Sequence, residues 1–172
     1  MTYSAFLENE NEKDKHELKN ELDTLEMQLY RMQNNIKKIA KKWDIVSIDQ
    51  ARNEQWVIIY VDKKEETCQL MLHDCDSPYR GKWDSAIQAE YKNDRTIHIA
   101  DIKGEENKGY GSILMKHLKE LAREENVQYI TGDIVKRDFD HVGRLKHFYN
   151  KHYFDVNIDH EEQCGEIVWN DG

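Results

Sequence analysis

Two hydrophobic periods divide the chain. From Leu18 the apolar positions step alternately by four and three: Leu18, Leu22, Leu25, Leu29, Met32, Ile36, Ile39 and Trp43. This is an unbroken a/d heptad stripe, with no proline or glycine inside it. Acidic residues crowd its start (Glu8, Glu10, Glu12, Asp14, Glu17), and lysines crowd its end (Lys37, Lys38, Lys41, Lys42). Both placements suit the helix macrodipole. The pattern predicts one long helix over residues 10–43. So narrow a stripe serves either as a coiled-coil seam between chains or as the face of a helix lying on its own domain. The sustained 3.5-residue repeat leans toward association and leaves the oligomer number open.

After Trp43 the period becomes two. "WVIIYVD" (56–62) and "TCQLMLHD" (67–74) read as strands joined by the charged turn "KKEE". "SAIQAEYK" (85–92) and "RTIHIADI" (95–102) read as strands joined by a two-residue hairpin turn at Asn93-Asp94. A helix over 111–126 carries Leu114, Leu118 and Leu121 on one stripe. A strand (127–135), a helix (140–151) and strands over 153–158 and 165–170 complete the chain. An antiparallel meander followed by β-α-β predicts a mixed α/β sheet, with a parallel, right-handed crossover between 96–102 and 127–135. The division expected is a helical, coiled-coil arm over 1–43 and a folded domain over 44–172.

Charge narrows the function. A net charge of −9 argues against a nucleic-acid surface, which needs a basic footprint. No segment has the length and apolarity of a membrane span, and the first residues have no basic and apolar leader pattern. Cys68, Cys75 and Cys164 lack metal-ligand spacing and read as reduced thiols. His141, His147 and His152 do not share a helix face as a metal pair would, so no metal is expected. A cytoplasmic protein is the expectation.

The glycines of "GEENKGYGSILM" (104–115) carry the candidate chemistry. Gly104 and Gly109 have P-loop spacing, but Tyr110 and Gly111 stand where Lys and Ser/Thr are needed, which excludes a nucleoside triphosphatase. Gly109-x-Gly111 lacks the third glycine of a dinucleotide fingerprint, since position 114 is leucine. What remains is a strand, a polar turn and a glycine-opened helix. Its first backbone N–H groups converge and bind an anion without a basic side chain.

The segment 98–124 resembles the cofactor motif of the GNAT (GCN5-related N-acetyltransferase) superfamily, Gln/Arg-x-x-Gly-x-Gly/Ala between a strand and a helix. The frame falls on Glu106-Asn107-Lys108-Gly109-Tyr110-Gly111, with Glu106 in place of Gln or Arg. That carboxylate must point to water or meet Lys103 or Lys108. "LKHFYNKHYFDV" (145–156) resembles the family's later helix-to-strand segment, through Phe148, Tyr149, Lys151 and Phe154, with Tyr153 where glycine is common. The family usually has two helices between its first two strands. No room for them follows Trp43, so the long helix is expected to take their place.

The resemblance implies an acyl-CoA N-acyltransferase fold, acetyl-CoA as co-substrate, and a small-molecule or peptide amine as acceptor. It implies that strand 96–102 splays from strand 127–135, so that the main chain near Ala100, Asp101 and Ile102 meets the pantetheine arm and the thioester. Asn107, Lys108, Gly109, Tyr110, Gly111 and Ser112 would hold the pyrophosphate. Tyr149 stands where the family has its general acid. His98 lies four residues before Ile102, where some members carry a base, and imidazole titrates near neutrality. Strict alternation puts Thr96, His98, Ala100 and Ile102 on one face and Asp101 on the other, which ranks Asp101 lower. Tyr79 and Trp83 either border an acceptor pocket or cover the sheet. The rival expectation is a non-catalytic acyl-CoA-binding or coiled-coil assembly module.

Overall fold

The computed structural model describes the backbone of residues 3–172 and the side chains of residue 12 and residues 14–172. The heptad segment forms one helix, α1 (Tyr3–Ala40), longer at its start and shorter at its end than the pattern predicts. It is followed by β1 (Asp44–Gln50), β2 (Trp56–Lys63), β3 (Thr67–Asp74), β4 (Ser85–Asn93) and β5 (Thr96–Gly104). Then come α2 (Tyr110–Glu124), β6 (Tyr129–Ile134), a 3-10 turn (Lys136–His141), α3 (Val142–Lys151), β7 (Asp155–Asp159) and β8 (Cys164–Asn170). The eight strands make one sheet in the order β1-β2-β3-β4-β5-β6-β8-β7. Every neighbouring pair is antiparallel except β5–β6, which is parallel as the crossover requires.

β1 is the strand that alternation does not reveal. Ile45 pairs with Tyr60, but Ser47 pairs with Ile59 and Ile48 with Ile58. The irregularity leaves Val46 as an extra residue, so the apolar positions of "DIVSIDQ" lose their period of two. β1 returns into β2 through residues 51–55, closed by Ala51 N–H to Gln55 O at 2.8 Å. The β4–β5 turn also sits one residue later than predicted. Asn93 pairs with Thr96, and the Asn93 side-chain oxygen accepts the Arg95 N–H at 2.9 Å.

Each face of the sheet has its own core. Val57, Ile59, Leu70, Leu72, Ile87, Ala89, Ile97 and Ile99 pack against Leu114, Met115, Leu118 and Leu121 of α2. The intervening residues Ile58, Tyr60, Met71 and Ala86 pack under Ile39 at the end of α1. Met32, Ile36, Trp43, Tyr79 and Trp83 close over this second cluster. Tyr79 meets Tyr60 edge-on at 6.0 Å, so Tyr79 and Trp83 cover the sheet. Alternation along β2 and β3 assigns the two faces, and burying both is what makes these strands nearly continuous apolar runs.

Candidate active site at the β5–β6 split

The parallel ladder between β5 and β6 stops early. Its last rung is Ile99–Gly132, yet β5 runs on to Gly104 and β6 to Ile134. β6 remains paired with β8 to its end, at Ile134–Gly165. The edge of β5 that faces β6 is therefore unpaired over residues 100–104. A cleft of about 620 Å³ opens there, lined by His98, Ala100, Asp101, Ile102, Asn107, Gly109, Tyr110, Gly111, Ser112 and Tyr149, among others. The expected site residues converge on it with one exception. Lys108 turns aside to pair with Glu105 and does not line the cleft.

A bulge at Ala100 changes which residues share a face. Ile99 pairs with Ala89, but Asp101 pairs with Gln88 and Ile102 with Ile87. One extra residue inverts the alternation beyond it. Ile102 therefore joins Ile97 and Ile99 against the α2-side core, and Asp101 joins His98 on the other face. The expectation that Ile102 shares the face of His98 and that Asp101 opposes it is corrected.

His98 closes the bottom of the split. Its Nδ1 lies 2.8 Å from Thr131 Oγ1, and its Nε2 lies 3.2 Å from Asp133 Oδ2. A carboxylate only accepts, so in neutral His98 Nε2–H donates to Asp133 and Nδ1 accepts the Thr131 hydroxyl. Thr131 and Asp133 are site residues that sequence reasoning missed. Their only signal is the parallel register, His98 opposite Thr131, which the sequence does not print.

The start of α2 forms the other end of the cleft. Gly109 is its N-cap at φ 75°, a left-handed conformation, and no side chain caps the helix. The first ladder bond runs from Ile113 N–H to Gly109 O at 3.2 Å, so the N–H groups of Tyr110, Gly111 and Ser112 precede it. Glycine suits the φ at 109. At Gly111 an added Cβ would only touch Phe148, at 3.6 Å, so the two motif segments meet there. The Tyr110 side chain points away from the cleft into full burial, and its hydroxyl donates to Asp74 Oδ2 at the end of β3. Burial raises that phenol's pKa, so it stays a donor.

Glu106 does not meet Lys103 or Lys108. It takes a two-bond pair from Arg144 of α3, at 3.0 and 3.0 Å. Lys103 is instead 3.2 Å from Asp101. The parallel N–H donors of a guanidinium match a carboxylate better than an ammonium does.

Tyr149 is buried in the cleft wall, edge-on to Phe148 at 5.3 Å and to Phe154 at 5.4 Å. Desolvation pushes its phenol up to about 12, with Asp138 and Asp101 adding to the shift. The turn after it is a Schellman cap. Tyr153 N–H bonds Asn150 O and Phe154 N–H bonds Tyr149 O, both at 3.0 Å, with Tyr153 at φ 64°. That left-handed position explains why glycine suits the place Tyr153 holds.

His152 ties this turn to the first turn of α2, its Nε2 lying 2.9 Å from Ser112 Oγ. Burial, then Lys119 and Lys151, pushes its pKa from 6.5 down to about 4. Between those values the unfolded chain binds a proton that the folded chain refuses. Stability attributable to this group is thus intact above about pH 6.5 and lost progressively toward about pH 4. Thermal melting across this window is expected to show a smaller loss for His152→Gln than for the wild type; equal losses would refute the assignment.

No protein-family model matches the chain. It is 50% identical over 160 residues to the uncharacterized protein YocC of Bacillus subtilis (strain 168), covering 93% of this chain and 96% of that one. Among solved structures, the GNAT domain of S. lividans PAT superposes with a TM-score of 0.57 at 7% identity, over 72% of this chain and 96% of that one. A GNAT family acetyltransferase from Elizabethkingia anophelis with acetyl-CoA bound gives 0.51 at 11% identity, over 66% and 97%. The chain belongs to the family of YocC and has the GNAT fold. The split, the glycine-opened α2 and Tyr149 of α3 sit together around one cleft of that fold. In this one, β1 returns directly to β2 and the long helix precedes β1.

Proposed function

We propose that this chain is an N-acetyltransferase that uses acetyl-CoA and acetylates a primary amine by direct attack. The observation that carries this is the β5 edge left unpaired over residues 100–104, running toward the uncapped start of α2. The donors present fit a long ligand with an anionic diphosphate. Main-chain groups at Ala100, Asp101 and Ile102 would pair with the pantetheine arm, and the N–H groups of Tyr110, Gly111 and Ser112 would hold the diphosphate, with Gly109 making the left-handed turn before them. Acetyl-CoA would supply the acetyl group as an activated thioester.

The residues of the chain then divide the proton work. His98 takes the amine proton at Nδ1, giving up the Thr131 hydrogen bond, and Asp133 holds the resulting imidazolium at Nε2. Tyr149 keeps its phenolic proton for the departing thiolate, because burial holds it protonated. Cysteine plays no part. Cys68 and Cys75 are buried, their thiols pushed up to about 11 chiefly by that burial, and none of the three cysteines lines the cleft.

Thiol release from acetyl-CoA tests the reading, with a polyamine, a lysine peptide and a peptide with a free N-terminus as acceptors. Turnover with at least one is expected. Acetyl-CoA binding without turnover by any would leave a binding module in place of an enzyme.

Self-association belongs to the same proposal. Leu18, Leu22, Leu25 and Leu29 are 58%, 59%, 58% and 52% exposed, a row of leucines without cover. A second copy presenting the same row is the occupant that fits it. No described helix is long and apolar enough to cross a membrane. A cytoplasmic location is supported by the three free thiols.

A further inference from the structure

The loop that opens α2 has no uncancelled side-chain cation of its own. Lys108 is paired with Glu105, Lys103 with Asp101, and the carboxylate of Glu106 with Arg144. Main-chain N–H groups can hold a diphosphate, but they supply only partial charge. Arg137, Arg144 and Lys151 line the cleft as well, but the cation that lies against the loop's glycine comes from another element. Arg52, in the β1–β2 turn, lines the cleft beside the loop. Its side chain lies across Gly109, such that a Cβ built there would stand 3.3 Å from Arg52 Nε and 3.5 Å from its Cδ. Among the described residues, no carboxylate pairs with Arg52.

The turn presents this arginine rigidly. Ala51 is buried in the α2-side core, its N–H bonds Gln55 O at 2.8 Å, and Glu54 N–H bonds Ala51 O at 2.9 Å. Two residues before Ala51, Asp49 pairs with the buried His117 of α2. β1 is thereby fastened to the helix whose first turn Arg52 overlooks.

We infer that Arg52 is a side-chain cation of the acyl-CoA site, its guanidinium taking a diphosphate oxygen beside the N–H groups of Tyr110 and Gly111. The inference rests on the proposed function. It gives that reading the cation that Glu106 withholds. It also gives the β1–β2 turn a task, since a direct return at this place puts a residue over the loop. A planar fork with several N–H donors suits a phosphate and needs no deprotonation.

Calorimetric binding of CoA and of 3′-dephospho-CoA to the wild-type chain, Arg52→Gln and Arg52→Lys tests it. Arg52 is on an exposed turn, so unchanged thermal melting of both variants is expected to confirm that they fold. Arg52→Gln is expected to weaken both ligands by about tenfold and to flatten the salt dependence, with Arg52→Lys recovering part of the loss. Weakening of CoA alone would place Arg52 at the 3′-phosphate and overturn the diphosphate assignment. Binding by Arg52→Gln within about twofold of wild type would overturn the whole inference, leaving the proposed function standing. A wild-type chain that binds neither ligand would overturn both.

Discussion

Tyr149→Phe is expected to lower kcat by about 10²- to 10⁴-fold, the usual worth of a positioned proton donor, while leaving the KM for acetyl-CoA nearly unchanged. The substitution removes one oxygen and keeps the ring. The ring is what the fold uses, since it packs edge-on against Phe148 and Phe154, and the Schellman bond involves the Tyr149 main chain. Melting temperature should therefore stay near wild type. The pH profile gives a second readout. With the phenol pushed up to about 12, the wild type should show no alkaline limb from this group through the ordinary assay range. Steady-state thiol release measures both quantities. A kcat within about threefold of wild type would remove Tyr149 as the acid, because so small a change lies far below the usual contribution of such a group.

The parts of this site that the sequence showed are those set by local chemistry. Gly109 and Gly111 before an apolar stripe announced the glycine-opened start of a helix, and "HFYNKHYF" announced Tyr149 on the helix that follows β6. The missed parts depend on register. Val46 and Ala100 are each one residue too many in a strand, and neither has a side chain that signals a bulge. The first hid β1, and with it the turn that carries Arg52. The second moved Asp101 to the face of His98. The parallel pairing of β5 with β6 was legible, but the register that makes Asp133 a neighbour of His98 is encoded by no local pattern. The same holds for Glu106, whose partner is an arginine on α3 and not a neighbouring lysine.

Deleting residues 1–42 is expected to abolish cooperative folding, whereas a chain beginning at Tyr30 should melt like the full chain and sediment as a smaller species. The difference lies in what one seam touches along its length. Its leucines at 18, 22, 25 and 29 are exposed, but Met32 and Ile36 are half-buried and Ile39 is fully buried. The stripe thus has two partners, its own sheet at one end and the proposed second copy at the other. Asn35 is 1% exposed; its side chain donates to Ser77 O at 3.1 Å and accepts Tyr79 N–H at 2.8 Å. Arg31 donates to Asp76 O at 2.7 Å. Loss of Ile39's packing alone costs about 2–5 kcal/mol, and each orphaned buried polar group about 1–3 kcal/mol. With Ile58, Tyr60 and Met71 also uncovered, the sum approaches the roughly 5–15 kcal/mol that holds a domain together. Removing only residues 1–29 costs none of these contacts and takes away the exposed leucines. Thermal melting and sedimentation of the two truncated chains separate the effects. An unchanged mass for the chain beginning at Tyr30 would show that the leucine row is not the surface through which copies associate.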